Sequence, residues 1–177
     1  MNLPNKLSIV RVCCIPFMVL MMSLSEDWCR WAALAIFIIA SFTDYLDGHI
    51  ARSRNTITDF GKFIDPLADK LLVLSALIML IHKSLIPAWF VVIILSRELA
   101  VDGLRLIASN RGKVIAAGMA GKIKTVSQMI LIIYLMVFAT PAFSSVPGII
   151  LSVWTALITI YSGVDYFRRN SSVFSGF

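Results

Sequence analysis

Residues 44–70, DYLDGHIARSRNTITDFGKFIDPLADK, decide how this chain is to be read. They set Asp44, Asp47, Asp65 and Asp69 between two apolar runs, WAALAIFIIASFT (31–43) and LLVLSALIMLI (71–81). A carboxylate is costly to take out of water unless it is paired or binds a cation. Four of them in this setting point to a site, because ionisable residues at membrane depth are retained for function. Helix ends near lipid headgroups, with the acids paired to Arg52 or Lys70, would be the purely structural alternative.

The rest of the chain supplies the setting. It has 177 residues, of which 59% are hydrophobic and only 15% charged. Its mean hydropathy is +0.87. An ordinary soluble domain is about 45–50% apolar and has no place for this much apolar surface. We therefore expect a single integral membrane domain over residues 1–177. Cys13, Cys14 and Cys29 make neither a disulfide framework nor a zinc spacing, and read as small apolar fillers. Lys6 and Arg11 precede the apolar VCCIPFMVLMMSL, but no small-residue cleavage site follows, so the first segment reads as an uncleaved span.

A spanning helix needs about 20 mostly apolar residues. The expected fold is all-α, with six spans at residues 6–24, 31–51, 61–81, 85–107, 122–142 and 145–166. The runs lack the alternation of a β-barrel, and no internal repeat is visible. Basic residues set the orientation. An even number of spans puts Lys6, Arg11, Arg52, Arg54, Lys62, Lys70, Arg97, Arg105, Arg111, Lys113, Lys122, Lys124, Arg168 and Arg169 on one side. Only Arg30 and Lys83 fall on the other, so the 16 Lys and Arg divide fourteen to two. Both termini and the basic face are expected to be cytoplasmic, suited to anionic lipid or phosphorylated substrates. Six spans without aromatic–basic interleaving argue against nucleic acid.

Only the fifth and sixth spans cross without charge; the others carry theirs towards the cytoplasmic end. At about 1.5 Å per residue, Asp44 lies about 20 Å from the outer end of its helix and Arg97 about 18 Å. Asp69, about 12 Å from the cytoplasmic start at Gly61, comes to a similar level in a core of about 30 Å. Asp44 and Asp47 stand at i and i+3, and Asp65 and Asp69 at i and i+4, so each pair shares a helix face. Carboxylates that converge this way repel unless cations sit among them, and oxygen-only ligands suit Mg²⁺ or Mn²⁺. Gly48 and Ala51 follow on nearly the same face, where small residues admit a neighbouring helix or a flat ligand.

The order D-x-x-D-G-x-x-A-R, eight residues, G-x-x-x-D-x-x-x-D is filled by Asp44, Asp47, Gly48, Ala51, Arg52, Gly61, Asp65 and Asp69. This resembles the signature of the CDP-alcohol phosphotransferases, and the six spans resemble that family's fold. Within the family, NLPNKLSIVRV, SRELAVDGLR (96–105) and GKIKT (121–125) look like the phosphatidylglycerophosphate synthases. The resemblance implies transfer of a phosphatidyl group from CDP-diacylglycerol to sn-glycerol 3-phosphate, with release of CMP. It implies two divalent cations held by Asp44, Asp47, Asp65 and Asp69, with Asp69 also the general base. Gly48, Ala51, Arg52 and Gly61 would hold CDP-diacylglycerol. A homodimer is likewise implied by the family alone.

For the acceptor phosphate the candidates are Arg97, Arg105, Lys122 and Lys124. Arg97 is too deep for snorkelling, and its structural alternative is a pair with Glu98 or Asp102. Lys122 and Lys124 have the alternative of being positive-inside anchors, the role expected of Arg111, Lys113, Arg168 and Arg169. Asn5 and Arg11 border the nucleotide site in this reading, while His49 and His82 receive no role. Inositol phosphate, serine or phosphatidylglycerol would be alternative acceptors. A membrane prenyltransferase would carry its acidic motifs on more widely separated helices. An ion transporter would need polar residues at successive depths, and the outer half offers only Glu26 and Asp27 at its rim.

Overall fold

The structure is a computed structural model that describes residues 3–54, 59–110, 112, 115–116 and 118–171. Its side chains are described for 8–43, 67–110, 112, 115–116 and 118–171. Among these residues the chain forms six α-helices and no strand. They are α1 (Leu3–Ser23), α2 (Asp27–Arg54), α3 (Asp59–His82), α4 (Ala88–Asn110), α5 (Met119–Phe138) and α6 (Val146–Arg169).

Local chemistry explains where several helices begin and end. α2 starts at Asp27, earlier than the apolar run predicts, with an acid in its first turn where the helix dipole favours negative charge. Arg30 pairs with that acid at 3.4 Å. Cys29 is thereby drawn into the helix and fully buried, as a small apolar filler would be. α5 runs Met119–Phe138, starting before and stopping short of the expected 122–142. It ends where Ala139 takes a left-handed φ of 50°, a common way for a helix to stop. Ser145 caps α6, its Oγ accepting from the Gly148 amide at 3.3 Å, with Pro147 in the first turn. At the other end the Asn170 amide and side chain both donate to the Tyr166 carbonyl.

The chain divides into two compact units, Met1–Lys83 with Met136–Ala139, and Ser84–Leu135 with Thr140–Phe177. In the first, α1 packs on both α2 and α3. Fully buried Met18, Phe37, Leu72, Leu77 and Leu80 fill its interior. Lys83 donates to the Leu24 carbonyl at 2.9 Å, tying the end of α3 to the end of α1. In the second, α4 packs on α6 through Val101, Leu104, Ala108 and Tyr166. Trp154 Nε1 donates to Ser127 Oγ at 2.9 Å, joining α6 to α5.

Large apolar side chains face outward on every helix; Phe17, Ile39, Ile78, Leu99, Ile130 and Leu157 are among them. α5 and α6 are each long and apolar enough to cross a membrane. α6 is inverted relative to a water-soluble helix. It buries Ser152, Thr155, Thr159 and Ser162 and exposes Ile150, Trp154, Leu157 and Val164. Such a face is stable where lipid, rather than water, is the surrounding solvent.

Candidate active site

Two helices of the first unit carry the acidic residues. α2 runs without interruption through positions 44 and 47, and α3 through 65 and 69. Three and four residues apart on a continuous helix is the spacing that brings positions onto one face. Asp44, Asp47, Gly48, Ala51, Arg52, Gly61 and Asp65 lie outside the described side chains, so their helices alone place them. Asp69 is described: it is half-buried on α3, beside the fully buried Ala68. Among the described residues no three His, Cys, Asp or Glu side chains gather into a possible metal site, and three of the four expected ligands lie outside that set. The donor chemistry, carboxylate oxygen alone, fits a hard divalent cation.

Arg11 crosses from α1 to α2. It is 2% exposed, and its Nε donates to the Ala40 carbonyl at 3.1 Å. Ala40 stands one helical turn before Asp44, so Arg11 fixes α1 against the stretch of α2 that leads into the acidic pair. Asn5 lies outside the described side chains.

The basic candidates belong to the second unit, and the structure sorts them. Arg97 on α4 is held by two bonds: Nη1 to Glu98 Oε1 at 3.2 Å and Nε to Ser162 Oγ at 3.1 Å. Lys124 on α5 is 4% exposed, and its Nζ donates to the same Glu98 oxygen. Arg97 and Lys124 therefore meet on one carboxylate. Arg105 is engaged elsewhere on α6, donating from Nε to Tyr166 Oη at 2.9 Å with its guanidinium carbon 5.5 Å from the ring centre. Lys122 is exposed and is not gathered to Glu98. The pairing of Arg97 with Glu98 is the one its structural alternative named.

Sequence reasoning missed Ser162, Tyr166, Gly121 and Gly163. Gly163 leaves room that Arg97 occupies, since an added Cβ would stand 3.2 Å from Cγ, whereas at Gly121 it would meet Nη2 at an ordinary contact distance of 3.5 Å. The signal for α6 was present in the recurrence of Ser152, Thr155, Thr159, Ser162 and Tyr166 at alternating steps of three and four. Without a charge among them it read as an ordinary span.

Comparison with known proteins decides the family. Residues 1–161 match the family model described as CDP-alcohol phosphatidyltransferase. The chain belongs to the CDP-alcohol phosphatidyltransferase family. Along almost its whole length this family member is similar to proteins that share one name, CDP-diacylglycerol–glycerol-3-phosphate 3-phosphatidyltransferase. The Bacillus subtilis (strain 168) protein is 45% identical over 183 residues, covering 96% of this chain and 95% of that protein. The Rickettsia bellii (strain RML369-C) protein is 35% identical, covering 98% and 97%. The Escherichia coli (strain K12) protein is 34% identical, covering 93% and 92%. The acidic signature on α2 and α3 thus sits in a chain that matches CDP-alcohol phosphatidyltransferases well beyond the signature itself.

Proposed function

We propose that this chain transfers the phosphatidyl group of CDP-diacylglycerol to sn-glycerol 3-phosphate, giving phosphatidylglycerophosphate and CMP in the synthesis of anionic phospholipid. The observation that carries the reading is the unbroken eight-residue signature on α2 and α3, in a chain similar along nearly all its length to relatives named for that reaction.

The acceptor hydroxyl oxygen forms a new ester bond to the phosphatidyl phosphorus, and the bond from that phosphorus to the bridging oxygen breaks. CMP leaves with the oxygen. Asp69 takes the hydroxyl proton, directly or through one water. Two Mg²⁺ or Mn²⁺ ions held by Asp44, Asp47, Asp65 and Asp69 would supply charge neutralisation at the diphosphate. Gly48, Ala51, Arg52 and Gly61 hold the cytidine diphosphate half. Arg97, Arg105, Lys122 and Lys124 receive the acceptor phosphate, the arginines by their planar forks and the lysines as point charges.

The setting is a cytoplasmic membrane crossed by all six helices. The basic residues, divided fourteen to two, set the start of α1 and the end of α6 on the cytoplasmic side. The homodimer implied by family resemblance is part of the same reading. The acyl chains of the donor stay in the bilayer.

Purified protein with CDP-diacylglycerol, Mg²⁺ and a panel of water-soluble alcohols, followed by CMP release, tests the reaction and its acceptor together. Release with glycerol 3-phosphate alone is the expected result; release only with serine or inositol phosphate would reassign the acceptor. Orientation is tested separately with an impermeant thiol reagent on intact cells. Cys29 is buried and unsuited, so Ser25→Cys, at an exposed loop position, should label from outside. Ser109→Cys should label only after permeabilisation, and the reverse pattern would invert the topology.

A further inference from the structure

The two gathered cations meet on a residue that the reaction chemistry leaves without a role. Glu98 is 8% exposed within α4, and its Oε1 takes bonds from both Arg97 and Lys124. Sequence neighbours on a helix point about 100° apart and do not normally face each other. Arg97 and Glu98 bond nonetheless, both meeting the first turns of α5, where Lys124 bonds Glu98 and Gly121 lies beside Nη2. The three side chains are 12%, 11% and 5% exposed.

We infer that Glu98 is a positioning residue for anion recognition, holding the Arg97 guanidinium and the Lys124 ammonium side by side as a preassembled receptor for a phosphate monoester. The inference rests on the proposed acceptor site. Its physical basis is threefold. Two like charges brought together repel, and a carboxylate shared between them offsets that repulsion. A lysine head on four rotatable carbons snorkels towards water unless it is anchored, and Glu98 anchors it. A guanidinium has five N–H donors, and Glu98 and Ser162 engage only Nη1 and Nε of Arg97. A dianion arriving there meets cations already desolvated and fixed, which lowers the ordering cost of binding. Ser162 completes the arrangement by holding Nε from α6.

Two measurements on purified protein in detergent test this. In kinetics with each substrate varied in turn, Glu98→Gln keeps size and an acceptor oxygen but removes the charge. It should raise KM for glycerol 3-phosphate on the order of tenfold, as expected for a lost charged hydrogen bond, with KM for CDP-diacylglycerol unmoved. Glu98→Asp, which keeps the charge, should recover part of the loss and serves if the glutamine variant does not fold. In thermal unfolding, inorganic phosphate should raise the midpoint of the wild type, and Glu98→Gln should abolish that rise. The Glu98→Gln/Lys124→Met pair should lose no more acceptor affinity than Lys124→Met alone, the non-additivity of residues acting as one unit. If Glu98→Gln lowers the midpoint but keeps both the phosphate-induced rise and the acceptor KM, Glu98 only compensates buried charge and the inference is overturned. A wild type indifferent to phosphate overturns it as well. A phosphate-induced rise that Glu98→Gln removes, with CMP released only to some other alcohol, would sink the acceptor assignment and leave the role of Glu98 standing.

Discussion

Helix α3 turns Ala68, Leu72, Val73, Ala76, Leu77 and Leu80 inward, whereas α6 turns Gly148, Ser152, Thr155, Thr159 and Ser162 inward. Both helices are 24 residues long, yet they bury opposite chemistry. In lipid an apolar side chain gains little by leaving the surface, so helix association draws on close packing and on polar contacts. Three of the inward hydroxyls of α6 are satisfied on backbone: Thr159 on the Thr155 carbonyl at 2.6 Å, Ser162 on the Thr159 carbonyl at 3.0 Å, and Thr155 on the Ser127 carbonyl at 3.4 Å. Farther along, the same face offers Ser162 to Arg97 and Tyr166 to Arg105. α3 instead wedges a tightly filled apolar side against α1 and carries Asp69 next to it. One helix is packed to hold a carboxylate still; the other is surfaced to hold cations.

If α3 is where proton transfer takes place, Asp69→Asn should produce the largest effect. CMP release with both substrates saturating should fall about 10²–10⁴-fold, the usual worth of a positioned general base. Chelation should stop the wild type, and Mg²⁺ or Mn²⁺ should restore it. Full turnover by Asp69→Asn would move the base to another residue.

The packing contrast itself can be broken by thermal unfolding in detergent. Leu77→Ala opens a cavity in a fully buried place and should cost about 2–5 kcal/mol. Thr155→Val keeps the volume and removes a bond across to the Ser127 carbonyl of α5, which should cost about 0.6 kcal/mol. Equal losses would mean that the two interiors are stabilised alike.

Arg105→Ala tests the cation side of α6. It should raise KM for glycerol 3-phosphate roughly 10–100-fold, the worth of one charged hydrogen bond to phosphate, and leave KM for CDP-diacylglycerol alone. Tyr166→Phe, which removes only the hydroxyl that Nε grips, should follow in the same direction with a smaller change. The smallest effect belongs to Gly163→Ala. Its Cβ would stand 3.2 Å from Arg97 Cγ, so the stem must yield by a few tenths of an ångström, and acceptor KM should rise about twofold. An acceptor KM untouched by all three would make these cations topology charges only.

Much of this was legible beforehand, for physical reasons particular to each residue. Apolar runs locate the six helices, of which α5 and α6 are long and apolar enough to cross a membrane. Helix ends were less legible: the acid at Asp27 extends α2, and the left-handed turn at Ala139 cuts α5 short. The acidic signature was readable because its residue types recur at fixed spacing on two helices. Glu98 was readable only as the neighbour of Arg97, since its second partner, Lys124, is 26 positions away. The polar face of α6 carries no charge, and so hid in a segment that looked ordinary.

The outward-turned indoles have an optical consequence. Trp28, Trp31, Trp89 and Trp154 are all exposed on the helix surface, and each lies in the first half of an even-numbered helix. In the proposed orientation those halves share the outer leaflet, with the indoles of Trp28, Trp31 and Trp89 near its headgroups, the level that tryptophan favours. The chain's ultraviolet emission is therefore a gauge of one leaflet only. Quenchers confined to the outer monolayer should dim it and inner-leaflet quenchers should not, so the handedness of reconstitution into vesicles can be read in a fluorimeter without any label.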